Sequence, residues 1–214
     1  MALASRFEKH RPAAMTGQKP AHQAETLIIS CMDLCMSLHK LFGFDDGEVV
    51  ISRIAGPMIP PYDEGSSQSQ ILQETLLIAL TDMRVRNIAI LGHTQCKTAK
   101  KLSESIYCSG DIFAMKKLSE DVLQNALTQA GESDQQALSA EIEKQIIIQS
   151  IKNLFDYPVV QKAIGHGNLT VEGLQIDAES GKLFKLNTDG RGFTFDLVAQ
   201  THASEAKVNQ DQAA

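Results

Sequence analysis

Four cysteines in 214 residues are too few for a disulfide scaffold, and tryptophan is absent. So small a number suits a metal or thiol site in a reducing compartment. Positive charge is scarce as well: 20 Lys and Arg stand against 26 Asp and Glu, a formal charge of −6. That balance argues against a protein that grips nucleic-acid phosphates through clustered basic residues. No run approaches the roughly 18 apolar residues of a membrane span. The first twenty residues carry Arg6, Glu8, Lys9, Arg11 and Lys19, so they lack the uncharged apolar stretch of a secretory signal. The expectation is a soluble, cytoplasmic protein with neither a membrane nor a nucleic-acid partner. Internal repeats are missing too.

What is present is the ordinary composition of a globular chain, 43% hydrophobic and 21% charged, enough to bury a sizeable core. At about 150 residues per domain this length predicts one domain with embellishments. The expected division is an N-terminal arm over residues 1–24, a single α/β domain over 25–198 and a flexible tail over 199–214. A short helix over Leu3–His10 fits the arm, and Pro12 and Pro20 interrupt it. The tail has no hydrophobic periodicity.

Three short apolar runs read as buried strands: Thr26 to Ser30 leading into Cys31, Glu48 to Ile54, and Asn87 to Leu91 before Gly92. Between the last two, Ile71, Leu72, Thr75, Leu76, Ile78, Ala79 and Met83 recur at helical spacing behind Ser66 and Ser67 as candidate N-caps. A strand, helix, strand crossover joins parallel strands, so the predicted class is α/β with a mostly parallel central sheet flanked by helices. Helix is predicted from beyond His93 to about Gln129 and again from Gln136 to Phe155, with Pro158 as its terminator. Asn168 to Ile176 and Lys182 to Leu186 form a predicted hairpin.

Residues with chemistry fall where two predicted strands end. Cys31-Met-Asp33-Leu-Cys35 follows the first, and Gly92-His93-Thr-Gln-Cys96 follows the third. In parallel α/β sheets, sites assemble at the carboxyl ends of strands, so Cys31, Asp33, His93 and Cys96 can converge despite their separation in sequence. Two thiolates and an imidazole are zinc's preferred ligands, with a fourth position left for water or Asp33. The alternative is that the cysteines are small buried residues and His93 a hydrogen-bonded core histidine. Other cysteine chemistries lack their signatures. Ser37, not arginine, stands six residues after Cys31, Cys31 and Cys35 are four apart rather than three, and no strand is followed by Gly-x-Gly-x-x-Gly.

Together with Arg53-Ile-Ala-Gly56, these motifs resemble the β-class carbonic anhydrases. Asn168 to Gly173 and Asp177 to Leu183 are similar to that family's final strands, and Arg6-Phe7 to its N-terminal helical arm, which packs across a partner subunit. The resemblance implies a zinc cofactor held by Cys31, His93 and Cys96, with Asp33 as a neighbouring or ligand-exchanging carboxylate. It further implies hydration of carbon dioxide to bicarbonate by zinc-bound hydroxide, and a homodimer or larger homo-oligomer. Carbonyl sulfide and carbon disulfide hydrolases share the motifs, so the small linear substrate stays open.

Three positions depart from the family pattern. Cys35 stands where the family has an arginine that pairs with the aspartate, Lys97 where it has glycine, and Ile54 where it has asparagine. A guanidinium holds a carboxylate by two parallel charge-assisted bonds and a thiol cannot. Asp33 is therefore expected to lean onto zinc and close the site, which favours a structural or regulatory metal, unless Lys97 replaces the lost cation. Cys35 is expected to be a buried, space-filling thiol and Cys108 to be unrelated to the chemistry. His39 is a weak candidate for a proton shuttle, and Ile54 and Ala55 for the walls of a gas pocket.

Overall fold

The computed structural model describes residues 24–105, 113–130, 134–188 and 192–198, without the side chains of 113–118. The arm, apart from Ala24, the tail over 199–214 and Cys108 lie outside the described residues. Strand β1, Thr26–Cys31, is buried at five of its six positions, as a continuous apolar run inside a parallel sheet requires. It lies between β2, Val49–Ile54, and β3, Asn87–His93, and is parallel to both. β3 pairs in parallel on its other side with β4, Thr170–Ile176. β5, Leu183–Thr188, and β6, Phe193–Leu197, continue the sheet antiparallel, giving the order β2-β1-β3-β4-β5-β6. The predicted α/β class holds, and the predicted late hairpin extends the parallel sheet through β4. β6 is an addition. Its Phe193, Phe195 and Leu197 alternate with period two, and Lys152 covers the Phe193 ring from 5.3 Å.

Six helices accompany the described strands. They are α1, Leu38–Phe42; α2, Ser67–Thr81; α3, Lys97–Ser105; α4, Phe113–Ala130; α5, Gln135–Phe155; and α6, Pro158–Gly165. Asp134 caps α5, its carboxylate accepting the amides of Gln136 and Ala137 at 2.9 and 3.0 Å. Pro158 was expected to terminate that helix. Instead α5 stops at Phe155 with Asp156 as its cap, and Pro158 opens α6. Proline suits a first helical turn because the amide it lacks would have no partner there. Among the described residues no helix is long and apolar enough to cross a membrane.

Side-chain alternation along the strands divides the core. Leu27 and Ile29 of β1, with Ile88 and Ile90 of β3, pack beneath α2, α5 and α6. Ile28, Ala89 and Leu91 face the other way, against Leu34, Leu38 and Leu174. A third cluster surrounds Cys31 and Cys96, bringing Ala99 and Leu102 of α3 against Val122 of α4 and Ile142 and Ile146 of α5. This last cluster places the carboxyl ends of β1 and β3 under helices rather than in open solvent. Gly92 makes the packing possible. A Cβ there would meet Ile147 Cδ1 at 2.7 Å, so only glycine lets α5 lie this close to the strand residue before His93.

Candidate metal centre

Cys31 is the last residue of β1 and is fully buried. His93 ends β3, and its loop is tied to the sheet by the Thr94 amide on the Ile176 carbonyl at 3.0 Å and by the Ala178 amide on Thr94 Oγ1 at 2.9 Å. Gln95 then takes a left-handed conformation, φ 60°, which costs a non-glycine residue of order 1 kcal/mol. That turn drops Cys96 back toward Cys31 at the head of α3. The Cys31 and Cys96 sulfurs are 3.7 Å apart. Asp33 Oδ1 lies 2.5 Å from Cys31 Sγ, 2.9 Å from His93 Nε2 and 4.0 Å from Cys96 Sγ. All four ligand atoms fall within 4.8 Å of one another, the only such group among the described residues.

The donor set fits zinc. Tetrahedral coordination with zinc–sulfur bonds of about 2.3 Å places two thiolates about 3.8 Å apart, close to the spacing found here. His93 Nδ1 donates to the Thr94 carbonyl at 2.8 Å, which presents Nε2 to the group and fixes the ring's orientation. The Gly56 amide points at Cys31 Sγ from 3.3 Å and favours its thiolate. Gly56 also has φ 59°, and a Cβ on it would meet Thr98 Cγ2 at 2.7 Å.

Electrostatically the four side chains share protons. The Cys96 contact, then burial, pushes the Cys31 thiol well above the ordinary range, while the same contact holds Cys96 below it. Burial works against charge on His93, but the Cys31 thiol, the Thr94 carbonyl and Asp33 outweigh it and push the imidazole up to about 9. Burial likewise opposes the Asp33 charge, yet Cys31, the Lys97 amide and His93 hold the carboxyl below the usual range. A metal must displace the protons of Cys31 and His93. Zinc binding at pH 7 is therefore expected to release protons, and affinity to rise with pH through neutrality, because the imidazole is held up to about 9 and the Cys31 thiol above its ordinary range. Titration calorimetry in buffers of different ionisation enthalpy measures both. Affinity that is flat between pH 6 and 8 would contradict this proton inventory.

The structure brings together all four residues named from the sequence. The Lys97 ammonium does not replace the lost cation: the backbone amide of Lys97 donates to Asp33 Oδ2 at 2.9 Å, and the ion pair of Asp33 is with His93. Cys35 is a second correction. It is exposed rather than buried, with its thiol 3.4 Å from the Asp33 carbonyl, because the loop turns it away from the core. It forms no disulfide with Cys31. His39 lies on α1, outside the donor group. Ala55 is exposed, and Ile54 packs half-buried against the α2 side of the core. Two features escaped the sequence reading. Glu143 of α5 is buried and accepts the Cys96 amide at 2.9 Å, and burial pushes its carboxyl up to about 7. The signal for it was an acidic residue beside Ile142 and Ile146 on a helix's apolar face. The other is the contact set of Arg53, taken up below.

The family model described as carbonic anhydrase matches residues 26–183, a span that contains every residue of this centre. The chain belongs to the carbonic anhydrase family. Several of its relatives are named as β-class enzymes. Beta carbonic anhydrase 5, chloroplastic, of Arabidopsis thaliana is 24% identical over 72% of this chain and 51% of its own length. The present chain thus spans about half of that relative. A carbonic anhydrase of Synechocystis is also 24% identical, over 92% of this chain and 69% of its own. Among solved structures, the β-carbonic anhydrase CcaA superposes with a TM-score of 0.71 at 21% identity, over 89% of this chain and 92% of that one. One of two tetrameric β-carbonic anhydrases from Sordaria macrospora gives 0.66 at 21% identity, over 86% and 91%. The six-stranded sheet flanked by helices is therefore the β-carbonic anhydrase fold.

Proposed function

We propose that this chain binds one zinc ion through Cys31, His93 and Cys96 and catalyses the reversible hydration of carbon dioxide to bicarbonate, with Asp33 restraining turnover at neutral pH. The observation that carries this reading is the convergence of these three side chains with Asp33 Oδ1 among them. When bound, zinc lowers the pKa of a coordinated water to about 7 and so supplies the nucleophile. The chain's own residues do the rest. His93 is held in one orientation by the Thr94 carbonyl, and Cys31 and Cys96 are sheltered by the apolar cluster under α3 and α5. Asp33, anchored at Oδ2 by the Lys97 amide, orients the attacking group when it faces the substrate and blocks it when it faces the metal.

A second reading, a closed zinc site with a role in assembly or regulation, is favoured by one observation. Asp33 has no guanidinium at position 35 to draw it away, and Cys35 reaches only its main-chain carbonyl. By extension from the tetrameric relatives, the proposal includes a homodimer or larger assembly. Stopped-flow hydration of carbon dioxide on the zinc-loaded wild type separates the two readings. Hydration well above the buffer rate and rising with pH supports the enzyme. A zinc-replete protein that shows none at any pH between 6 and 9 supports the closed site.

A further inference from the structure

We propose that Arg53 is a positioning residue, a clamp on the Cys31–Met36 loop that keeps the Asp33 carboxylate directed into the donor set; the proposal rests on the metal reading above. Arg53 stands on β2 opposite Ser30 of β1, one step before the pair Ile54 and Cys31. From there its guanidinium reaches three carbonyls of the loop. Nη1 donates to Leu34 O at 2.5 Å and, at 3.5 Å, to Cys31 O, while Nη2 donates to Met36 O at 2.8 Å. These carbonyls bracket Asp33 on both sides. Among the described residues the loop's own main-chain bonds are few: the Met32 amide on Ile54 O at 2.8 Å and the Leu34 amide on Cys31 O at 3.4 Å. Beyond Leu34, the guanidinium supplies the hydrogen bond that returns this loop to the sheet, at Met36 O, beside the apolar packing of the Met36 side chain against the core.

The chemistry suits arginine specifically. A rigid planar fork with five donors can span carbonyls from successive parts of a loop, whereas an ammonium is a point donor. An arginine at position 35 would act on the Asp33 carboxylate itself. Arg53 acts on the main chain and leaves both oxygens free, Oδ1 for Cys31 and His93 and Oδ2 for the Lys97 amide. None of the ion pairs among the described residues involves Arg53. The clamp and Cys35 therefore act in the same sense: one fixes the loop, and the other withholds the pull that would swing the carboxylate out.

The test compares the wild type with Arg53→Met and Arg53→Lys, using hydrogen exchange at residues 32–37 and the absorption spectrum of the cobalt(II)-loaded protein with and without thiocyanate. In Arg53→Met, loop exchange is expected to quicken by about tenfold or more, and the cobalt spectrum to become sensitive to thiocyanate. The wild-type spectrum should respond far less at pH 7, where Asp33 restrains the site. Arg53→Lys keeps the charge but not the fork and is expected to resemble Arg53→Met. Unchanged loop exchange in a folded Arg53→Met, or an Arg53→Lys indistinguishable from the wild type, overturns the clamp. A wild type that takes up no cobalt overturns the metal reading instead, and loop exchange then decides the clamp alone.

Discussion

Replacing Cys96 by serine is expected to strip the protein of its metal. The wild type should hold about one zinc per chain after gel filtration, and Cys96→Ser less than about a tenth of that. The reasoning is energetic. Losing an outer partner of a ligand already costs about 10- to 100-fold in metal affinity, and losing one of two thiolates costs more. Serine is nearly isosteric, so the buried cluster of Cys31, Ala99 and Leu102 around Cys96 should survive. Stability reports the same loss. A ligand present at a thousand times its dissociation constant stabilises the folded state by about 4 kcal/mol. For a chain of this size that is about 10 °C in Tm. The wild type should therefore melt about 10 °C higher with zinc than with a chelator, and Cys96→Ser should melt at one temperature in both.

Cys35→Arg is expected to raise carbon dioxide hydration at pH 7 by about tenfold or more. A charge-assisted pair with a carboxylate is worth about 1.5–3 kcal/mol, so a guanidinium at position 35 shifts the orientation of Asp33 by roughly 10- to 100-fold. The site has room for the larger residue because Cys35 is exposed, its thiol hydrogen-bonded to the Asp33 carbonyl. Cys35→Ser serves as the control and should leave the rate unchanged. A Cys35→Arg protein that holds zinc and gains no activity would show that Asp33 does not limit turnover.

Much of this centre was legible before the fold was known, for a physical reason. Parallel strands are continuous apolar runs, and their carboxyl ends are where polar residues can emerge, so Cys31 and His93 announced themselves by position. What the sequence hid was main chain. The anchor on Asp33 is an amide of Lys97, and amides leave no trace in residue identity. The chain's course at Gln95, φ 60° without a glycine, was equally invisible, as was a buried Glu143 whose partner lies 47 positions away in sequence. Cys35 was misjudged because thiols are usually buried, whereas here the loop is held by Arg53 and points it outward. Pro158 was misread for a similar reason: a proline that ends one helix and one that begins the next look alike when only two residues separate them.

The central claim is that Cys31, His93, Cys96 and Asp33 form one zinc site, and X-ray absorption at the zinc K edge of the purified wild type tests it most directly. The account predicts two sulfur neighbours at about 2.3 Å and two nitrogen or oxygen neighbours at about 2.0–2.2 Å, with one sulfur lost in whatever zinc Cys31→Ser retains. A zinc shell without sulfur, or a folded protein that takes up no zinc, would contradict it.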